Sequence, residues 1–196
     1  YVALGVMTKT PLGISWWQAV ILIFTACVFA YGGNKASLIA FSKAPNPGYS
    51  LVLSKSYVLF TTLVAVTLLG AELSAQKALA ILMIVGFSVL ILVNKKGAKK
   101  VKDERWVLLS FAAFFAWGML SLGSKYLFNN GVDTVVFLIY LYAIVTICIV
   151  SFDKVRISKF KEISTQMKLL LVGVGVFSAL FNFGQFQAIK LAPNIG

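Results

Sequence analysis

The sequence predicts an all-α membrane protein: a polytopic transmembrane helix bundle made of two inverted repeats, with six complete spans in 196 residues. Three observations predict it. The composition is 60% apolar and 12% charged, with a mean hydropathy of +0.91. That leaves too few polar residues to coat a water-soluble core of this size, so the bilayer is the missing solvent. Six apolar segments reach the ~20 residues a spanning helix needs. Finally, Phe41-Ser42-Lys43-Ala44-Pro45-Asn46-Pro47-Gly48 returns as Ile189-Lys190-Leu191-Ala192-Pro193-Asn194-Ile195-Gly196, closing a long apolar segment both times. The same register lays Asn34 on Asn182. Duplication of a helical membrane unit is a mark of transporter folds.

The six segments are Trp16 to Phe41, Tyr49 to Gly70, Ala75 to Val93, Trp106 to Phe128, Val132 to Phe152 and Met167 to Leu191. Short connections at Ser42 to Gly48 and Ala71 to Ser74 make the first three antiparallel neighbours, and Asn129-Asn130-Gly131 does the same for the fourth and fifth. Tyr1 to Met7 reads as the tail of an earlier helix, and Tyr1 to Thr10 lacks the charged-then-apolar order of a cleavable signal. With no Met at position 1 and an end inside a loop motif, the chain reads as a fragment.

Charge sets the topology. Asn94 to Arg105 carries Lys95, Lys96, Lys99, Lys100, Lys102 and Arg105 against Asp103 and Glu104, a net +4, and divides the chain into residues 1–94, a basic linker 95–105, and 106–196. The loop between the fifth and sixth segments holds a net +3, and the positive-inside rule puts both basic loops in the cytoplasm. Most of the formal +12 is explained this way, and a nucleic-acid partner is not expected, because the lysines flank spans without a folded basic surface. Counting crossings from these loops places the Ala44-Pro45 turn inside and the Ala192-Pro193 turn outside, so the repeats face opposite ways. If the first and sixth segments are each the third helix of a unit, a unit has five helices, and two are missing at each end of a ten-helix protein.

With that order of parts the chain resembles the drug/metabolite transporter superfamily, and within it the EamA-type ten-helix carriers. The likeness rests on the third-helix ending Ala44-Pro45, then a fourth helix finishing in Leu68-Leu69-Gly70-Ala71-Glu72-Leu73-Ser74. This matches the family's Leu-Gly-Glu-Arg-hydrophobic-Ser pattern with Ala71 inserted and the Glu-Arg pair reduced to Glu72-Leu73. Gly86 then stands in the fifth helix, where the family commonly has a glycine. The resemblance implies two EamA-like repeats, here the C-terminal part of the first and the N-terminal part of the second, around a cavity that passes metabolites, amino acids, sugars or drugs. It does not extend to the intramembrane carboxylate of the small multidrug members, because the equivalent helix here has Trp117-Gly118 and no acid. Family members commonly keep both termini in the cytoplasm, which disagrees with a cytoplasmic central linker.

Nothing in the sequence suggests an enzyme or a cofactor. His is absent, and the six acids lie in loops or at helix ends, so a nucleophile within a span would be unassisted. Cys27 and Cys148, each mid-segment, read as small packing residues rather than a loop disulfide or metal ligands. The informative residues are polar ones at membrane depth, since a lysine at a helix centre costs ~3 kcal/mol on insertion scales. Lys35 has Asn34 beside it and Tyr31 four residues earlier on the same face. It is either a cationic cavity group for an anionic or carbonyl-bearing solute or a side chain snorkelling to the interface. Lys55 and Lys125 lie nearer segment ends and read as interfacial. Asn182 and Gln185, three apart, share a face and bind either a solute or another helix. Trp117 is deep enough to line a cavity.

The substrate-binding set is therefore Asn34, Lys35, Trp117, Asn182 and Gln185. The expected partners are the lipid bilayer and a small-molecule solute, with a homodimer allowed but not called for; the expected place is the plasma (inner) membrane. A non-transporting membrane scaffold or assembly subunit is the alternative. The glycines Gly32-Gly33, Gly118, Gly123, Gly173, Gly175 and Gly184 read first as close helix contacts.

Overall fold

A computed structural model of the chain describes residues 1, 5, 11–68, 74–93, 104–153 and 163–192. Among these there is helix and no strand. The elements are α1 (Trp16–Phe24), a π-helix π1 (Thr25–Tyr31), α2 (Gly32–Lys43), α3 (Pro47–Lys55), α4 (Tyr57–Leu68), α5 (Ala75–Val93), α6 (Arg105–Asn129), α7 (Thr134–Phe152) and α8 (Thr165–Leu191). Five helical runs are long and apolar enough to cross a membrane: Trp16–Lys43, Pro47–Thr67, Arg105–Asn129, Thr134–Phe152 and Thr165–Leu191. The sixth expected crossing, α5, is helical over its whole predicted range, but the apolar stretch found within it among the described residues, Ala78–Phe87, is shorter than a crossing. The chain is thus an all-helical, multi-pass integral membrane protein. The Leu69-to-Leu73 motif, most of the basic linker and the second Pro-Asn turn lie outside the described residues.

Local chemistry fixes the helix ends. Asn46 caps α3 by accepting the Gly48 N–H at 2.9 Å, and Pro47 takes the first helical position, where its missing donor costs nothing. Asp133 caps α7 through the Val135 N–H at 2.8 Å, and Ser164 caps α8 through that of Met167. Between α6 and α7 the chain turns on Gly131 at φ +87°, a backbone conformation that favours glycine. Gly131 N–H then reaches the Phe128 carbonyl and Val132 N–H that of Leu127, both at 3.1 Å, while buried Val132 and Leu127 supply the apolar contact of a Schellman ending.

Two spans are interrupted near their middles. In Trp16–Lys43 the π-helix occupies Thr25–Tyr31. In Pro47–Thr67, Ser56 leaves helical geometry (φ −68°, ψ 5°) and separates α3 from α4. Elsewhere the hydroxyls fold back on their own helices: Ser54, Ser56, Thr62, Thr67, Ser110, Ser121 and Thr146 donate to carbonyls four residues earlier. Such bonds satisfy a polar side chain without water, as a hydrocarbon environment requires.

The chain forms two compact units, Tyr1–Cys27 with Ser124–Ala192, and Val28–Gly123. In the first, α7 packs on α1 and on α8. Its core is an aromatic triangle of Phe128, Phe137 and Phe186, all buried, with ring centroids 5.2 Å (Phe128 to Phe137), 5.1 Å (Phe137 to Phe186) and 6.4 Å (Phe128 to Phe186) apart. Tilted and edge-on pairs of this kind add ~0.5–1.5 kcal/mol each. In the second unit, α3 packs on α2, α4 and α5, and Phe60 of α4 meets Phe114 of α6 at a tilt and Phe115 edge-on. Close helix approach there depends on two glycines. A Cβ on Gly33 would lie 2.8 Å from that of Ala116, and one on Gly118 would overlap the Phe60 ring. The contact reading holds at these two positions; around Gly173, Gly175 and Gly184 nothing lies within 4 Å among the described residues.

Candidate functional site

The sequence-predicted residues divide between the units, Asn34, Lys35 and Trp117 in one, Asn182 and Gln185 in the other. In the unit Val28–Gly123, Tyr31 ends π1 and Lys35 follows one turn into α2. The Lys35 Nζ donates to the Tyr31 hydroxyl at 3.1 Å and lies 5.4 Å from the ring centroid. This is the four-residue spacing read from the sequence, and both Asn34 and Lys35 are exposed.

Trp117, in the middle of α6, is met by a lysine that the sequence reading treated as interfacial. Lys55 Nζ lies 4.6 Å from the Trp117 ring centroid, within cation–π range. Because α3 begins at the Asn46-Pro47 cap rather than at Tyr49, Lys55 is the ninth residue of the 21-residue span Pro47–Thr67 and sits near mid-span. The Asn-Pro pair was visible in the sequence and would have corrected the register. Beside Lys55 opens a groove of about 490 Å³ between α3 and α5, lined by Val52, Ser56, Met83, Ile84 and Phe87 among others. It is open rather than enclosed, with Met83, Ile84, Phe87 and Lys55 exposed along it, and its wall is almost wholly apolar apart from Lys55 and Ser56. The Trp117 indole N–H is buried and has no partner among the described residues. Ser50 and Ser110 join α3 to α6 by a 2.7 Å hydroxyl pair, both buried.

In the unit Tyr1–Cys27 with Ser124–Ala192, Asn182 and Gln185 are half-buried on α8. Asn182 turns its amide back to the Ser178 carbonyl at 2.6 Å. The strongest polar cluster is at the C-terminal end of α8. Lys125, only 5% exposed, donates from α6 to the carbonyls of Ile189 (3.0 Å), Lys190 (3.2 Å) and Ala192. A cation here closes carbonyls that the helix leaves open and meets the negative end of its dipole. The interfacial-anchor reading of Lys125 therefore gives way to a buried helix cap. Lys190 also pairs with Asp133 at 3.0 Å. Burial pushes Asp133 up, but the hydrogen bond from Lys190, the Val135 N–H, the Lys190 charge and the Thr134 N–H hold its carboxyl below its ordinary value.

Among the described residues no group of three His, Cys, Asp or Glu side chains gathers as a metal site would require. Cys27 and Cys148, read as small packing residues, meet with their sulfurs 3.4 Å apart. Compared with known proteins, the chain matches no family model, no curated protein and no solved structure.

Proposed function

We propose that the chain is a membrane carrier of a small organic solute, a metabolite, amino acid, sugar or drug, working by alternating access between two inverted EamA-like repeats in the plasma (inner) membrane. The observation that carries this reading is the interrupted span Pro47–Thr67, which sets the Lys55 ammonium near mid-span, over the Trp117 ring and beside an open, largely apolar groove. A charge at that depth costs ~2.5–3.5 kcal/mol on insertion scales, and such groups are characteristic of solute and ion pathways. Discontinuous spanning helices are likewise characteristic of carrier binding sites. In this reading Lys35 and Lys55 set a preference for anionic or carbonyl-bearing solutes, Trp117 stacks on or shapes the solute, and the amides of Asn34, Asn182 and Gln185 orient it.

One observation favours the scaffold alternative. The Asn182 amide donates to the Ser178 carbonyl of its own helix, which weakens its role in orienting a solute. The two readings part in a cysteine-accessibility experiment on the membrane-embedded chain with Cys27 and Cys148 replaced by Ala. Probes go in the Ala44-Pro45 turn, the Ala192-Pro193 turn, and at Lys35, Lys55 and Asn182. A carrier gives opposite-side labelling of the two turns and reaction of the intramembrane probes with a water-soluble, membrane-impermeant maleimide. Same-side turns with unreactive intramembrane probes would leave the scaffold.

A further inference from the structure

The chain has two cysteines, 121 positions apart, one in π1 and one in α7. Both lie inside membrane spans and in the same compact unit, and their sulfurs touch at 3.4 Å. Were each merely a small filler, any residue of similar volume would serve, and nothing would bring the only two thiols of 196 residues into contact. Cys148 is 4% exposed and Cys27 is half-buried, so the pair is reached from the Cys27 side. With no third ligand-forming side chain gathered near them among the described residues, the pair does not make a metal site. A disulfide needs ~2.0 Å between sulfurs, about 1.4 Å closer than the contact observed. Holding the thiols together also gives their reaction the rate advantage of an intramolecular step. Cys27 is carried by a π-helix, a feature often found at functional positions because its wider turn re-aims the side chains of one helix.

We infer that Cys27 and Cys148 form a redox-sensitive latch, an intramembrane dithiol that a lipid hydroperoxide converts to a disulfide joining π1 to α7. The chemistry balances without metal or enzyme. The sulfur of one thiol attacks the terminal peroxide oxygen, and as the O–O bond breaks the thiol's proton passes to the departing alkoxide, giving a sulfenic acid and an alcohol. The second thiol then displaces hydroxide, which leaves as water with the thiol's proton. Two thiols and one hydroperoxide thus give one disulfide, one alcohol and one water, and the hydroperoxide accepts the two electrons. A hydroperoxide formed in acyl chains reaches the pair from the lipid around these two spans. The bond fixes α7 to the segment just before Gly32-Gly33. This inference does not depend on the carrier reading, since a scaffold would carry the same latch.

The test uses the full chain in its membrane, exposed to cumene hydroperoxide, blocked with N-ethylmaleimide, digested and analysed by mass spectrometry without reduction. The expected product is one linked pair of peptides containing Cys27 and Cys148, two hydrogens lighter than the free peptides together and separated again by dithiothreitol. Cys27→Ser and Cys148→Ser chains should each lose it. Mixing isotope-labelled with unlabelled chains checks that the bond lies within one chain. Two separately alkylated cysteines, sulfinic or sulfonic acids without linkage, or bonds between labelled and unlabelled copies would each overturn the inference. The decisive sample is the unsubstituted chain, so a variant that misfolds does not affect the outcome.

Discussion

Gly33→Ala tests the packing of the unit Val28–Gly123 most directly. The new Cβ would stand 2.8 Å from the Ala116 Cβ, against an ordinary carbon–carbon contact of ~3.5–4.0 Å. Neither atom can rotate away, so α2 and α6 must separate by about 1 Å locally, and overpacking of this kind costs ~1–3 kcal/mol. Opposing it is the gain of replacing a helical glycine by alanine, at most ~1 kcal/mol. We therefore expect Gly33→Ala to destabilise by ~1–2 kcal/mol, read as a lower midpoint in SDS titration of the detergent-solubilised chain followed by circular dichroism. Gly86→Ala, with nothing within 4 Å among the described residues, should be neutral or slightly stabilising. Ala116→Gly removes the opposing carbon and alone costs ~1 kcal/mol. In the double variant the glycine has only changed helices, so its stability should return to within about 1 kcal/mol of the unsubstituted chain, giving a coupling of ~1–3 kcal/mol. The reasoning fails if Gly33→Ala costs no more than Gly86→Ala, or if Ala116→Gly does not rescue it.

Gly118→Ala drives its Cβ into the Phe60 ring, itself held by Phe114 and Phe115, and should cost ~1–3 kcal/mol in the same titration. Lys55→Met gives up ~0.5–2 kcal/mol of cation–π attraction to Trp117 but sheds the ~2.5–3.5 kcal/mol cost of a charge at that depth, so its midpoint should match or exceed that of Lys55→Arg, and a clearly lower midpoint for Lys55→Met would contradict the mid-span placement. Lys125→Met leaves the carbonyls of Ile189, Lys190 and Ala192 without their cation; a loss of ~1.5–3 kcal/mol and faster amide exchange in the last turn of α8 are expected. Asp133 has a folded-state pKa below its unfolded one, so its contribution is complete above the unfolded value and is lost as pH falls through the folded value. Because both side chains are over a third exposed, that contribution is small, ~0.2–1 kcal/mol, and Asp133→Asn should flatten the acidic limb of a stability-against-pH curve.

The crossings were legible because apolar length is a composition-level signal. The predicted starts and ends of α6, α7 and α8 fall within two residues of the helices, and the Asn129-Asn130-Gly131 turn lies where its glycine required it. The interruptions were not legible. A π-helix at Thr25–Tyr31 and a break at Ser56 change neither hydropathy nor length, and Thr-Ala-Cys-Val-Phe-Ala-Tyr would also suit an ordinary helix. Contacts between distant residues were equally hidden. Lys125 and the α8 terminus lie over 60 positions apart, and the cysteines 121. Lys35 with Tyr31 was readable because a four-residue spacing is a local rule, whereas Lys55 was misplaced because its depth depends on where its helix begins.

Across the spans, most polar side chains are satisfied by the protein itself: hydroxyls by carbonyls one turn back, Lys125 by a helix terminus, Asn182 by Ser178. Two groups in the unit Val28–Gly123 depart from that rule. The Lys55 ammonium meets only the face of an indole among the described residues, and the indole N–H of that same Trp117 is buried without an acceptor. Leaving a buried donor unmade costs ~1–3 kcal/mol, and the Lys55 ammonium, exposed on its helix, costs ~2.5–3.5 kcal/mol on insertion scales where it meets lipid at mid-span. A purely structural bundle gains nothing by keeping both on adjacent helices near mid-span, when Met and Phe would fill the same space at lower cost. An acceptor arriving from outside, water or the oxygen of an anionic or carbonyl-bearing solute, relieves the lysine. For that reason the decisive probe of the carrier reading is Lys55 more than Lys35, whose ammonium already has the Tyr31 hydroxyl. If a cysteine at position 55 stays unreactive to water-soluble maleimide while one at 35 reacts, the mid-span charge is dry and the carrier argument loses its main support.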